Sequence, residues 1–161
     1  AAVIVCNHYA LLDVIYPACL TWEAVHIIGK KDIEKNAFFR WAAKNAKAIT
    51  VNRDGNDVRA LLDCFKCLKN GEKIVIFPEG TRTKDGQVGR FKRGAFQIAL
   101  DLKLPIIPIS LSGCYDVLPK GKPFVYRRPV RMYVGEPIDI TQFENHNEAI
   151  EFVRNKVIEN V

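Results

Sequence analysis

Short continuous apolar runs alternate along this chain with longer stretches in which apolar positions recur at helical spacing. Residues 1–6, 25–28, 48–51, 73–77, 106–111 and 130–134 read as strands. Runs such as Ile74 to Phe77 show no apolar–polar alternation, which predicts strands covered on both faces. Residues 11–22, 31–47, 57–69, 94–102 and 147–158 read as helices. Pro17 should kink or restart the first, since proline removes a donor and crowds the preceding turn. In the third, Val58, Leu61, Leu62, Phe65 and Leu68 form an apolar stripe that Asn70 and Gly71 end. Strands alternating with helices predict an α/β fold: a single, largely parallel, mixed sheet covered by helices, within one domain over residues 1–161. Ligands of such sheets gather beyond the carboxyl ends of the strands. No internal repeat or domain boundary interrupts the pattern.

Composition changes this picture only in its charge. With 48% hydrophobic and 26% charged residues over 161 positions, disorder as the main state is excluded. The net charge of +6 is uneven. Residues 82–93 hold Arg82, Lys84, Arg90, Lys92 and Arg93 against Asp85, and residues 120–131 hold Lys120, Lys122, Arg127, Arg128 and Arg131 with no acid. A basic middle suits a phosphorylated partner: nucleic acid, an anionic lipid headgroup or a phosphate-bearing substrate. The odd number of cysteines lacks the framework of a small secreted protein, so reduced, cytosolic cysteine is expected. Cys64 and Cys67 form one C-x-x-C with no second pair at zinc spacing, which favours packing over a metal or redox role. No run approaches the roughly 20 apolar residues of a membrane span. The chain opens on an apolar strand, so a membrane-associating segment upstream is an open expectation. Phe38, Phe39 and Trp41 are assigned to the core, with a bilayer interface beside Lys30, Lys31, Lys35 and Arg40 as the alternative.

Three polar clusters fall where strands end. His8 follows the first strand, with Asp13 five residues later, and an imidazole with a carboxylate partner makes a general base. In an unbroken helix that separation turns the second side chain roughly 140° from the first. The pair therefore requires His8 on a strand-to-helix turn and Asp13 in the first helical turn. Arg53 follows the third strand, and Glu79, Gly80, Thr81 and Arg82 follow the fourth. Serine-elbow, H-E-x-x-H, phosphate-loop and G-x-G-x-x-G patterns are absent. His8 would then deprotonate a substrate hydroxyl; Cys114 is the competing nucleophile, in an apolar setting that favours packing. Arg82, Arg53, Lys92 and Arg93 are candidates for a phosphate clamp. Glu79 would organise that loop, holding Arg82 or accepting a substrate hydroxyl, and Gly80 lets backbone approach a ligand.

Together these residues resemble the glycerolipid acyltransferase family. Asn7-His8 with Asp13 is similar to its H-x-x-x-x-D block, and Phe77 to Arg82 to its F-P-E-G-T-R block. Val51-Asn52-Arg53 and Leu104 to Ile109 are similar to its second and fourth blocks. The resemblance implies the family's fold and an acyl transfer from acyl-CoA or acyl carrier protein to the hydroxyl of lysophosphatidic acid. It implies His8 and Asp13 in catalysis, and Arg53, Glu79, Gly80, Thr81, Arg82 and Lys92 in substrate binding. No cofactor beyond the thioester co-substrate is implied. The implied partner besides substrates is a membrane surface rather than nucleic acid. The implied location is the cytoplasmic face of a membrane, peripheral or anchored by a segment not in this chain. Glycerol 3-phosphate or another lysolipid as acceptor, and a non-catalytic basic lipid-binding module, are the alternatives. Ala10 departs from the serine that many members carry there; a serine could cap the helix bearing the aspartate, worth roughly 1 kcal/mol.

Overall fold

Five of the apolar runs lie side by side as parallel strands, and the sixth closes one edge antiparallel. The structure is a computed structural model that describes residues 1–19, 25–30, 40, 43–44, 47–51, 57–118 and 125–161. In chain order the strands are β1 (Ala2–Cys6), β2 (Val25–Lys30), β3 (Ile49–Val51), β4 (Lys73–Ile76), β5 (Ile106–Ser112) and β6 (Arg131–Val134). Across the sheet they run β3-β2-β4-β1-β5-β6. β1 sits between β4 and β5 and is buried from end to end, which is why its sequence is unbroken apolar.

Pro108 lies inside β5, where a missing N–H would break a ladder bond. Its carbonyl accepts from the Gly135 amide at 2.8 Å, just past the end of β6. A Cβ on Gly135 would stand 2.8 Å from the Pro108 ring. The proline thus falls where the neighbouring strand has ended and glycine leaves room for its ring.

The helices are α1 (Ile15–Ala18), α2 (Val58–Lys69), α3 (Gly94–Asp101), α4 (Cys114–Val117) and α5 (His146–Ile158), with 3₁₀ turns at Leu11–Val14 and Ile140–Gln142. Over its described residues, 11–19, the expected first helix is therefore two successive short turns. Pro17 lies in the first turn of α1, where its missing N–H has no helical acceptor to lose. α2 starts where the Asp57 carboxylate accepts from the Ala60 amide at 3.2 Å. Its buried face is Ala60, Cys64 and Leu68, rotated from the expected stripe, while Val58, Leu61 and Leu62 are exposed. Small side chains at Ala60 and Cys64 permit close approach to β3 and β4, while Val58, Leu61 and Leu62 point away.

Cys64 thus packs, as expected. Cys67 stands beside His26 and Glu72. The two ring nitrogens of His26 meet the Lys47 carbonyl at 3.0 Å and the Glu72 carboxylate at 2.9 Å, a polar tie between β2 and the approach to β4. Among the described residues no helix is long and apolar enough to cross a membrane. Of the expected second helix Arg40, Ala43, Lys44 and Lys47 are described, the first three helical and Lys47 in a turn; Phe38, Phe39 and Trp41 lie outside the described residues.

Candidate active site

β1 and β4 are parallel neighbours with Val5 opposite Ile76, so the segments leaving their carboxyl ends meet above the sheet. Asn7 fixes the exit from β1. It is fully buried, its amide donates to the Leu111 carbonyl at 2.9 Å, and its oxygen accepts from the Leu111 N–H at 2.7 Å. A side-chain amide here continues the pairing of β1 with β5 after the backbone has turned away. His8 therefore leaves the sheet from a fixed point.

The five-residue separation of His8 and Asp13 resolves as helix geometry requires. Ala10 is extended, with φ −133° and ψ 170°, and the 3₁₀ turn begins only at Leu11. Asp13 reaches back from that turn, and its Oδ2 accepts from His8 Nδ1 at 3.1 Å, from the Ala10 amide at 2.7 Å and from the Tyr9 amide. One fully buried oxygen thus closes the turn and holds the imidazole. The absence of serine at position 10 is met from the other side, because the carboxylate takes up the amide nitrogens of the turn itself. A carboxylate facing Nδ1 calls for a proton there, which leaves the Nε2 lone pair free to act as a base. The ring packs against Phe77, with centroids 4.4 Å apart, and its side chain is 18% exposed.

Glu79 grips the backbone of the same histidine. Its Oε1 accepts from the His8 N–H at 2.8 Å and its Oε2 from the Gly89 N–H at 2.9 Å. The His8 carbonyl in turn accepts from the Thr83 amide at 2.9 Å. Burial pushes the Glu79 carboxyl above its usual range, and the two amide donors oppose that shift. From sequence Glu79 is an organiser that holds Arg82 or accepts a substrate hydroxyl; the partners the structure gives it are the His8 and Gly89 amides. Both oxygens are occupied by backbone N–H groups, and among the described residues Glu79 forms no ion pair with Arg82. Amide partners leave no signature in side-chain identity, so neither Gly89 nor this role of Glu79 was legible.

The clamp candidates separate into those near this loop and those elsewhere. Gly80 has φ +67°, and a Cβ added to it would lie 2.8 Å from Lys92 Nζ, so the Lys92 ammonium crosses directly over Gly80. The Lys92 amide donates to the Pro78 carbonyl at 2.9 Å, closing the loop that holds Arg82. Arg82 is half-buried and Thr81 exposed. Arg93 lies toward α5, 3.5 Å from His146 Nδ1. Arg53 lies outside the described residues; the strand before it, β3, is at the sheet edge. Gly80→Ala is expected to lower stability by about 1–2 kcal/mol, the cost of a side chain in left-handed backbone. It should also displace Lys92; calorimetry and the acceptor KM check the two effects separately.

The family model described as Acyltransferase matches residues 1–112. The chain belongs to the acyltransferase family. Over 141 residues it is 36% identical to the chloroplastic 1-acyl-sn-glycerol-3-phosphate acyltransferase BAT2 of Brassica napus, covering 84% of this chain and 40% of that protein. It is 31% identical over 143 residues to the 1-acyl-sn-glycerol-3-phosphate acyltransferase of Bacillus subtilis, covering 88% and 68%. The crystal structure of the 1-acyl-sn-glycerophosphate (LPA) acyltransferase PlsC from Thermotoga maritima superimposes with a TM-score of 0.81 at 29% identity, covering 99% of this chain and 64% of that one. The chain spans about two fifths of the length of its chloroplastic relatives from Brassica napus and Arabidopsis thaliana.

In this member of the family the competing nucleophile is poorly placed. Cys114 is buried at the start of α4, and burial, then the neighbouring Asp13 carboxylate, push its thiol up to about 12. A thiol so held stays protonated near neutral pH and is a weak nucleophile. Cys6, buried at the end of β1, is pushed up for the same reasons.

Proposed function

We propose that this acyltransferase moves a fatty acyl group from a thioester, acyl-CoA or acyl carrier protein, to the free hydroxyl of lysophosphatidic acid, giving phosphatidic acid. The observation that carries the proposal is the hydrogen bond from His8 Nδ1 to buried Asp13, made beside the Glu79–Arg82 loop at neighbouring strand ends. The acceptor class is taken from the names of the relatives. In the proposed reaction His8 Nε2 removes the proton of the acceptor hydroxyl as the oxygen attacks the thioester carbonyl. The tetrahedral intermediate expels the thiolate, which takes the proton back from the imidazolium. An ester bond forms, a thioester bond breaks, and the base is restored without an acyl-enzyme. General-base action contributes about 10²- to 10⁴-fold.

Arg82 and Lys92, with Arg53, which follows β3 in sequence, would hold the acceptor phosphate and so align its hydroxyl with Nε2. Thr81 and the Gly80 backbone would border the same ligand. No cofactor takes part. An amphiphilic acceptor places the reaction at a membrane surface, on its cytoplasmic face, where the basic residues Arg127, Arg128 and Arg131 favour anionic headgroups.

Arg82→Ala should raise the KM for lysophosphatidic acid by about 10- to 100-fold, the worth of a charge-assisted hydrogen bond. A lysolipid without the phosphomonoester should be far less affected; equal weakening for both would remove Arg82 from the clamp. The proposal as a whole is tested by thiol release from acyl-CoA and acyl carrier protein across lysophospholipids and glycerol 3-phosphate. Preference for lysophosphatidic acid is expected. Preference for glycerol 3-phosphate would reassign the acceptor, and binding to anionic vesicles without thiol release would leave a lipid-binding module.

A further inference from the structure

α5 lies beyond the residues that the family model matches, yet one of its side chains reaches the loop that organises His8. The helix is a firm base for such a contact. Val153 and Val157 are fully buried, and Ser110 on β5 donates to the Val157 carbonyl at 2.7 Å. From between those valines Arg154 extends its guanidinium to two successive carbonyls. Its Nη2 donates to Val88 O at 3.0 Å and its Nε to Gly89 O at 2.9 Å, while Nη1 lies 3.5 Å from Glu151. The Val88 carbonyl and the Gly89 N–H are the two ends of one peptide group, and that N–H donates to Glu79 Oε2.

We infer that Arg154 is a positioning residue for the proposed base: it grips the Val88–Gly89 peptide, which holds Glu79 against the His8 amide. The order of contacts is guanidinium, peptide carbonyl, peptide N–H, carboxylate, His8 N–H. Each hydrogen bond polarises the next in the same sense, since a cation on the carbonyl makes the N–H a better donor to the carboxylate. Glycine at position 89 suits the arrangement, because a Cβ there would stand 2.9 Å from Glu79 Oε2. Without the fork, the peptide is free to rotate, Glu79 loses one of its two anchors in a buried setting, and His8 loses its fixed place above the sheet. Lysine replaces it only in part, because one ammonium does not present two donors in a rigid plane.

The inference rests on the proposed role of His8, and its test separates the two. Arg154→Ala, Arg154→Lys, Glu79→Ala and the double variant Arg154→Ala/Glu79→Ala are compared for kcat, for KM with lysophosphatidic acid and for melting temperature. NMR follows the backbone amides of His8 and Gly89. In folded Arg154→Ala we expect kcat about tenfold lower with KM changed less than about threefold, as for misplacement of a reacting group. Arg154→Lys should restore only part of the loss. In the Glu79→Ala background the same arginine change should cost less than about twofold more, because both act on one chain of contacts. The His8 and Gly89 amide signals should move in Arg154→Ala. Wild-type kcat in the folded variant, losses that multiply in the double variant, or unmoved amide signals would each overturn the inference. Arg154→Gln, which keeps one donor, takes the place of alanine if that variant does not fold. Full turnover by His8→Ala would remove the base instead, and the amide signals would still decide whether Arg154 holds Glu79 in place.

Discussion

Replacing His8 with alanine is expected to lower kcat by about 10²- to 10⁴-fold, the range spanned by general-base action, while the protein remains folded. The ring lies at the edge of the core, against Phe77, and is 18% exposed, so its loss opens little interior volume. The turn that carries it survives, because Asp13 keeps the Tyr9 and Ala10 amides and Glu79 keeps the amide of residue 8. The acceptor KM should change little, since the phosphate clamp is built by other residues. Thiol release under saturating acceptor, with a melting curve on the same sample, measures both halves of this prediction.

The second large effect is expected from Asp13→Asn, where kcat should fall by about 10²- to 10⁴-fold. A wrong imidazole tautomer is one way for such a loss to arise. The structure points to another. Two backbone N–H groups, from Tyr9 and Ala10, converge on the same Asp13 oxygen as His8 Nδ1. They require an acceptor there, so the asparagine carbonyl is held in the Oδ2 position and the bond from Nδ1–H persists. What is lost is the negative charge that stabilises the imidazolium after proton transfer. Stability should fall by about 1–3 kcal/mol as charge-assisted bonds become neutral ones. Asp13→Ala should cost more, because it leaves those buried amides without a partner. An Asp13→Asn enzyme with wild-type kcat would show that the charge has no part in catalysis.

The strands were legible because burial on both faces demands unbroken apolar sequence, as in Val3 to Cys6 and Ile74 to Ile76. The α/β fold with a largely parallel sheet followed from their alternation with helical stretches, whereas the antiparallel place of β6 at the edge is seen only in the structure. The proximity of His8 to Asp13 was legible too, since helix geometry forbids it unless a turn intervenes, and Ala10 supplies that turn in extended conformation. Less legible was anything decided by backbone partners. Glu79 looked like a companion for Arg82 because opposite charges in one loop suggest pairing, whereas its oxygens are filled by amides from His8 and Gly89. On α2 the apolar stripe was misread because contact with the sheet selects small residues, Ala60 and Cys64, which a scale of hydrophobicity ranks below Leu61 and Leu62. Arg154 was invisible for a third reason: it meets Val88 and Gly89 only through tertiary packing, across a sequence distance that no local motif spans.

The central claim is direct attack of the acceptor hydroxyl on the thioester, with His8 as base and no covalent intermediate on the enzyme. Rapid-quench measurement of thiol release from acyl-CoA, with enzyme in stoichiometric amount and lysophosphatidic acid present or omitted, tests it most directly. Thiol should appear only with the acceptor, in step with phosphatidic acid, and at the wild-type rate in Cys114→Ser. A burst of one thiol per enzyme without acceptor, abolished by Cys114→Ser, would contradict it.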